Sequence, residues 1–185
     1  PAPGAVGAGD FIDSAQRSGL MGALGGEVLR LAVDDLAQWR RAGLKVRVQL
    51  NISPAQVAEQ GFPQAVLDQV LAAGLQPGDL GFEVIDSPVL WESEQTMSGL
   101  SQLHHLGFQV GIDGFGTGYM GLSALKRVAA DYVKIDRSFV AGVVGSREDQ
   151  VIVQAIIQVA HDLGHEVIAI GVESPAQLEA LRALG

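Results

Sequence analysis

The sequence contains no cysteine, which excludes disulfides and thiolate metal sites and suits a reducing, cytoplasmic setting. Positive charge is scarce: 12 Lys and Arg stand against 21 Asp and Glu, for a formal net charge of -9. Such a balance, with no basic cluster, argues against a nucleic-acid duplex or an anionic membrane surface as the main partner. No apolar run approaches the ~20 residues that span a bilayer, so direct membrane insertion is not expected. The opening stretch 1–9 has neither the positive start nor the apolar centre of a signal peptide and reads as a loop ahead of a single domain at 10–185.

What is present is a repeat. At 185 residues, with 48% hydrophobic and 18% charged residues, the chain is long enough for one domain with a substantial core. Helical spacing over 11–41, with Leu29, Ala32, Val33, Leu36 and Trp39 on one face, stops at Gly43. Period-two alternation then predicts a strand over 46–52, with Arg47, Gln49 and Asn51 opposite Val46, Val48 and Leu50. The same unit recurs: helices over 62–73 and 92–106, a shorter one through Leu122 and Leu125, and a long one over 147–163 lead to strands over 80–85, 109–113, 132–136 and 166–170. Gly74, Gly107 and Gly164 close three of these helices, and Ser174-Pro175-Ala176-Gln177 opens the last with a capping box. Helix, glycine, short connection and strand predict parallel strands with crossover helices, either a (β/α) barrel or a doubly wound open sheet. Asn51, Glu83, Asp113, Lys134, Asp136 and Ile170 all fall at or near predicted strand carboxyl ends, where a barrel builds its site.

The most distinctive stretch is Ile112-Asp113-Gly114-Phe115-Gly116-Thr117-Gly118-Tyr119, a carboxylate delivered by an apolar strand into a glycine-rich loop. Gly114, Phe115, Gly116, Thr117, Gly118 and Tyr119 read as ligand-facing, or as a tight turn with Asp113 capping the next helix. Lys134 and Asp136 share a predicted face and read equally as an ion pair inside a barrel. His161 and His165 are separated by the helix-breaking Gly164, and His104 and His105 are adjacent, so neither pair reads as a metal site. Trp39 and Trp91 read as packing residues near element ends.

Taken together, LNIS, FEVIDS, GFGTGY, YVKIDRSFV and IGVES, in that order, resemble the EAL domain family of bacterial modules that hydrolyse or sense cyclic di-GMP. The resemblance implies a TIM-type (β/α) barrel that is incomplete here: the Glu-Ala-Leu strand would precede Pro1 and the closing strand would follow Gly185. It further implies that Asn51, Glu83 and Asp113 match three ligands of a first metal and that Lys134 and Asp136 match water-orienting residues. Asp86 takes the place of a glutamate that anchors the glycine-rich loop, and Glu173 matches a further motif residue. Two second-metal carboxylates are lost, to Gly114 and Ile170. The implied cofactor is Mg2+ or Mn2+ at one weakened site, or none.

Three functions follow as expectations. The first is a degenerate receptor or regulatory module in cyclic di-GMP signalling, binding the dinucleotide weakly and working through a partner protein or a homodimer. The alternative is a metal-dependent phosphodiesterase that opens cyclic di-GMP to pGpG. A third is a barrel lyase using Lys134 as a Schiff-base amine. An unclosed barrel would also leave strand edges exposed near 46–52 and 166–170.

Overall fold

The computed structural model describes residues 15, 17–116 and 122–185. Five strands, β1 (Val48–Asn51), β2 (Leu80–Ile85), β3 (Gln109–Phe115), β4 (Tyr132–Ile135) and β5 (Glu166–Ala169), form one sheet in chain order, β1-β2-β3-β4-β5. Each neighbouring pair is parallel, so each connection must cross over, and helices supply the crossovers. Helix α1 (Met21–Arg41) precedes β1, and α2 (Pro54–Ala58) with α3 (Phe62–Ala72) joins β1 to β2. Helices α4 (Pro88–Glu92) and α5 (Glu94–His105) join β2 to β3, and a 3-10 helix, Leu122–Arg127, lies between β3 and β4. Helices α6 (Arg137–Gly142) and α7 (Arg147–Asp162) join β4 to β5, and α8 (Pro175–Leu184) follows.

Strand order decides between the two architectures left open by the periodicity, in favour of the barrel that the family resemblance implies. Right-handed crossovers between strands that never reverse order place the helices on one face of the sheet. A doubly wound sheet would reverse at a switch point, and this one does not. The arrangement is the wall of a (β/α) barrel.

Local signals place the elements. Gly43, Gly74, Gly107 and Gly164 all have positive φ, between 76° and 92°, and end the preceding helices as left-handed C-terminal glycines do. Full capping boxes open α2 (Ser53 with Gln56) and α8 (Ser174 with Gln177). The helix expected from residue 11 is present at Ala15 and Arg17 and runs on as α1 from Met21. Gly19, with φ 67°, interrupts it. Residues 11–14 of that expected helix lie outside the described residues.

The core lies between sheet and helices. Leu80, Phe82 and Val84 of β2 are fully buried, as are Val110 and Ile112 of β3 and Val133 and Ile135 of β4. Phe82 meets Phe108 edge-on with ring centroids 5.5 Å apart, and Val153 and Ala160 of α7 close the other end. Burying each large side chain contributes about 1.5–3 kcal/mol, so this layer dominates the fold's stability. Among the described residues β1 and β5 are the sheet edges, where Val46 and Ile168 are 40% and 43% exposed. Trp39, expected to pack, is 40% exposed on α1.

Candidate functional site

The inner face of the sheet is identified by its amides. Gln49 donates from Nε2 to Gln109 Oε1 at 3.0 Å, and its side chain lies over Gly81, where a Cβ would fall 1.8 Å from the Gln49 Oε1. Two residues further along each strand, on the same face, come Asn51 and Glu83, which are register partners. Asn51 is exposed at the strand's carboxyl end, whereas Glu83 is 8% exposed.

Glu83 is the hub. Its Oε2 accepts from Lys134 Nζ at 2.7 Å and its Oε1 accepts from the Tyr132 hydroxyl at 2.9 Å. Lys134 Nζ also stands 3.5 Å from Asp113 Oδ2, so β2, β3 and β4 each deliver one charged group to a single point. Burial acts to lower the Lys134 pKa, but the bond to Glu83 and the field of Asp113 outweigh it and hold the ammonium above its ordinary range. A lysine held protonated lacks the free amine that a Schiff-base lyase needs. The Tyr132 phenol is pushed up by burial and then by its bond to Glu83, so it remains a neutral donor.

Asp113 sits at an irregularity. Ile112 pairs with Val133 and Phe115 with Ile135, so three steps along β3 match two along β4 and one extra residue bulges out. Gly114 adopts φ 72° there, and its N–H donates to Asp113 Oδ1 at 2.9 Å. A Cβ at Gly114 would meet nothing within 4 Å, whereas one at Gly116 would fall 3.0 Å from Ile156 and Phe139. Phe115 is buried. Thr117, Gly118 and Tyr119 of the loop lie outside the described residues.

Other candidates are placed apart from this cluster. Asp136 lies one residue past β4, where its N–H still donates to the Phe115 carbonyl at 3.4 Å and its side chain caps α6. Its Oδ1 accepts from the Ser138 hydroxyl at 2.6 Å and the Ser138 N–H at 2.9 Å; these bonds hold its pKa below the ordinary carboxylate value. Asp86 is 3% exposed; its Oδ1 accepts from the Trp91 indole N–H at 2.7 Å, and its own N–H donates to the Asp113 carbonyl at 2.8 Å. Ile170 continues the ladder past β5 through its N–H to the Ile135 carbonyl, at 3.2 Å. Glu173 is exposed and lines a shallow pocket of about 220 Å³ with Arg137, Ser138 and Gln177. His165 is buried and bonded to the Ala130 carbonyl at 2.8 Å, while His161 is exposed.

Two contributors are given no site role by the sequence reading, which takes Trp91 only as a packing residue. Tyr132 is two residues before Lys134, hence on the same strand face, which is a usable signal, and is opposite Gly111 in register. Trp91 reaches Asp86 across a turn, at a separation no helix or strand period marks.

Among the described residues no group of three or more His, Cys, Asp and Glu is arranged to hold a metal. The donors Asn51, Glu83 and Asp113 nevertheless fit one hard cation by type, since all three offer oxygen. No helix among the described residues is long and apolar enough to cross a membrane.

Comparison with known proteins matches this geometry. The cyclic di-GMP phosphodiesterase NbdA of Pseudomonas aeruginosa is 37% identical over 183 residues, covering 98% of this chain and 23% of its own length. The PaMucR phosphodiesterase in a c-di-GMP complex superposes with a TM-score of 0.88 at 33% identity, over 97% of this chain and 79% of that one. A calcium and c-di-GMP complex of Klebsiella pneumoniae BlrP1 superposes with a TM-score of 0.80 at 30% identity, over 89% and 41% of the two chains. The chain spans less than a quarter of the length of the first curated relatives it matches. The EAL domain profile covers residues 1–185, and with the parallel barrel wall and its inward carboxylates in place, the chain belongs to the EAL domain family.

Proposed function

We propose that this chain is a receptor or regulatory module in cyclic di-GMP signalling that does not hydrolyse the dinucleotide at a useful rate. It binds cyclic di-GMP weakly at the open end of the barrel wall and passes that state to a partner protein or a second copy of itself. One observation carries the reading: positions 114 and 170, where the resembled family carries two carboxylates for its second metal, hold Gly114 and Ile170, which have no side-chain oxygen. The retained donors Asn51, Glu83 and Asp113 would hold one Mg2+ or Mn2+, with Lys134 withdrawing from the two carboxylates as the ion enters. When bound, that ion supplies charge neutralisation to a phosphate; a two-metal site adds activation of the attacking water, an effect of several kcal/mol and so orders of magnitude in rate. Lys134 itself offers a fixed positive charge beside the site, and Asp86 with Trp91 supports the turn below Asp113.

The second reading, a working phosphodiesterase producing pGpG, is favoured by the intact Glu83, Asp113 and Lys134 cluster and by relatives with that activity in their names. The full-length protein is assayed for cyclic di-GMP hydrolysis with Mg2+ and Mn2+, before and after Gly114→Asp with Ile170→Glu. The expected result is binding by calorimetry without turnover, and a gain of turnover on substitution. Turnover by the unsubstituted protein at the rate of an EAL phosphodiesterase, or two tightly bound ions per chain, would overturn the proposal.

A further inference from the structure

We propose that Tyr132 is a positioning residue for Glu83: its hydroxyl holds one carboxylate oxygen, so that the other is the one presented to Lys134 or to a cation. The inference rests on the single-cation reading above and gives a role to Tyr132, which opens the YVKIDRSFV stretch but is matched to no site residue. Tyr132 is 3% exposed, and a hydroxyl that deeply buried must find an acceptor. It finds Glu83 Oε1 at 2.9 Å, while Lys134 occupies Oε2 at 2.7 Å. The carboxylate therefore cannot rotate without breaking one bond or both.

A second observation shows that the ring's place is made for it. Gly111 is the register partner of Tyr132 on β3, and a Cβ at Gly111 would stand 2.3 Å from the ring and 2.7 Å from its hydroxyl oxygen. An alanine there would drive the ring off its seat and move the hydroxyl away from Glu83. The Gly111 and Tyr132 pair thus lets the phenol lie over β3 and reach Glu83. Groups that hold a metal-ligating carboxylate from behind fix which oxygen binds, and their loss lowers metal affinity by about 10–100-fold.

The test compares the full-length protein with Tyr132→Phe and Gly111→Ala, using Mn2+ alone as the probe. Calorimetry measures affinity, and infrared spectroscopy of the carboxylate stretches reports one-oxygen or two-oxygen binding. Tyr132→Phe keeps the ring and is expected to melt within about 2–4 °C of the parent, the shift that ~1 kcal/mol makes in a domain of this size. Its Mn2+ affinity is expected to fall about tenfold, with the Glu83 stretches moving toward two-oxygen binding. Gly111→Ala should reproduce both changes. An unchanged affinity and spectrum in Tyr132→Phe overturns this inference alone, and so does a collapse of its melting temperature, which would make Tyr132 a structural residue. An absence of Mn2+ binding in the parent overturns the single-cation reading and this inference with it.

Discussion

Replacing Lys134 by methionine keeps most of the side-chain stem and removes the charge that Glu83 and Asp113 share. The side chains of Lys134 and Glu83 are 18% and 10% exposed and their charged atoms are 2.7 Å apart, so this is a largely desolvated pair. Removing one member of such a pair leaves the other buried without its counter-charge, a loss of about 3–5 kcal/mol in well-buried cases. Glu83 retains the Tyr132 hydrogen bond and the site opens toward Asn51, so a loss of about 2–4 kcal/mol is expected. That is a large share of the ~5–15 kcal/mol by which a domain is stable.

Urea unfolding followed by circular dichroism measures it, in a cycle of Lys134→Met, Glu83→Gln and the double variant. The double variant removes both charges together and should recover part of each loss, giving a coupling of about 2 kcal/mol. Mn2+ should then stabilise Lys134→Met more than the parent, because the ion meets Glu83 and Asp113 without displacing an ammonium; at a hundred times its Kd it adds about 2.7 kcal/mol. A Lys134→Met loss under about 0.5 kcal/mol, or strictly additive single losses, would refute the pairing as an energetic unit.

Trp91→Phe removes the indole N–H from a buried carboxylate and should cost about 1–3 kcal/mol by thermal or urea unfolding, with a smaller loss if Asp86 is already Ala. Gly99→Ala on α5 places a Cβ 2.2 Å from the Val57 carbonyl oxygen of α2 and should cost about 1–3 kcal/mol, because backbone must move to admit it. For pH, the raised Lys134 contributes stability that is full below its ordinary value of 10.5 and is lost as pH rises through its folded value. The lowered Asp136 contributes stability that is full above 3.8 and is lost as pH falls through its folded value. Unfolding measured across pH should therefore soften its alkaline limb in Lys134→Met, the raised Tyr132 keeping the rest of it, and soften its acid limb in Asp136→Asn.

The repeat of glycine-stopped helices and alternating strands was legible because C-terminal glycines and period-two faces are local signals. The choice between barrel and doubly wound sheet was not, because both are built from the same βα unit and differ only in strand order, which is a tertiary property. Glu83, Asp113 and Lys134 could be placed together from their positions at strand ends. Asp136 follows the last residue of β4, and Asp136-Arg137-Ser138 carries a capping signal of its own that strand alternation does not mark. Tyr132 needed the register of β3 against β4, which sequence spacing does not contain.

Gly114 and Ile170, the two positions on which the proposed loss of catalysis rests, differ in what a carboxylate would meet there. Gly114 has φ 72° with open space around a would-be Cβ, so aspartate fits sterically and would carry only the left-handed backbone penalty, about 1–2 kcal/mol and less for Asp than for most residues. Ile170 is half-buried, extends the ladder through its N–H to Ile135, and follows Ile168, the register partner of Lys134. A glutamate there would add a third carboxylate to the sheet face that already carries Glu83 and Asp113, with Lys134 already shared between those two. Both absences therefore relieve the folded state: one of backbone strain, the other of like-charge repulsion that only a second bound cation would offset. A module selected for binding and stability, and released from catalysis, gains by keeping both.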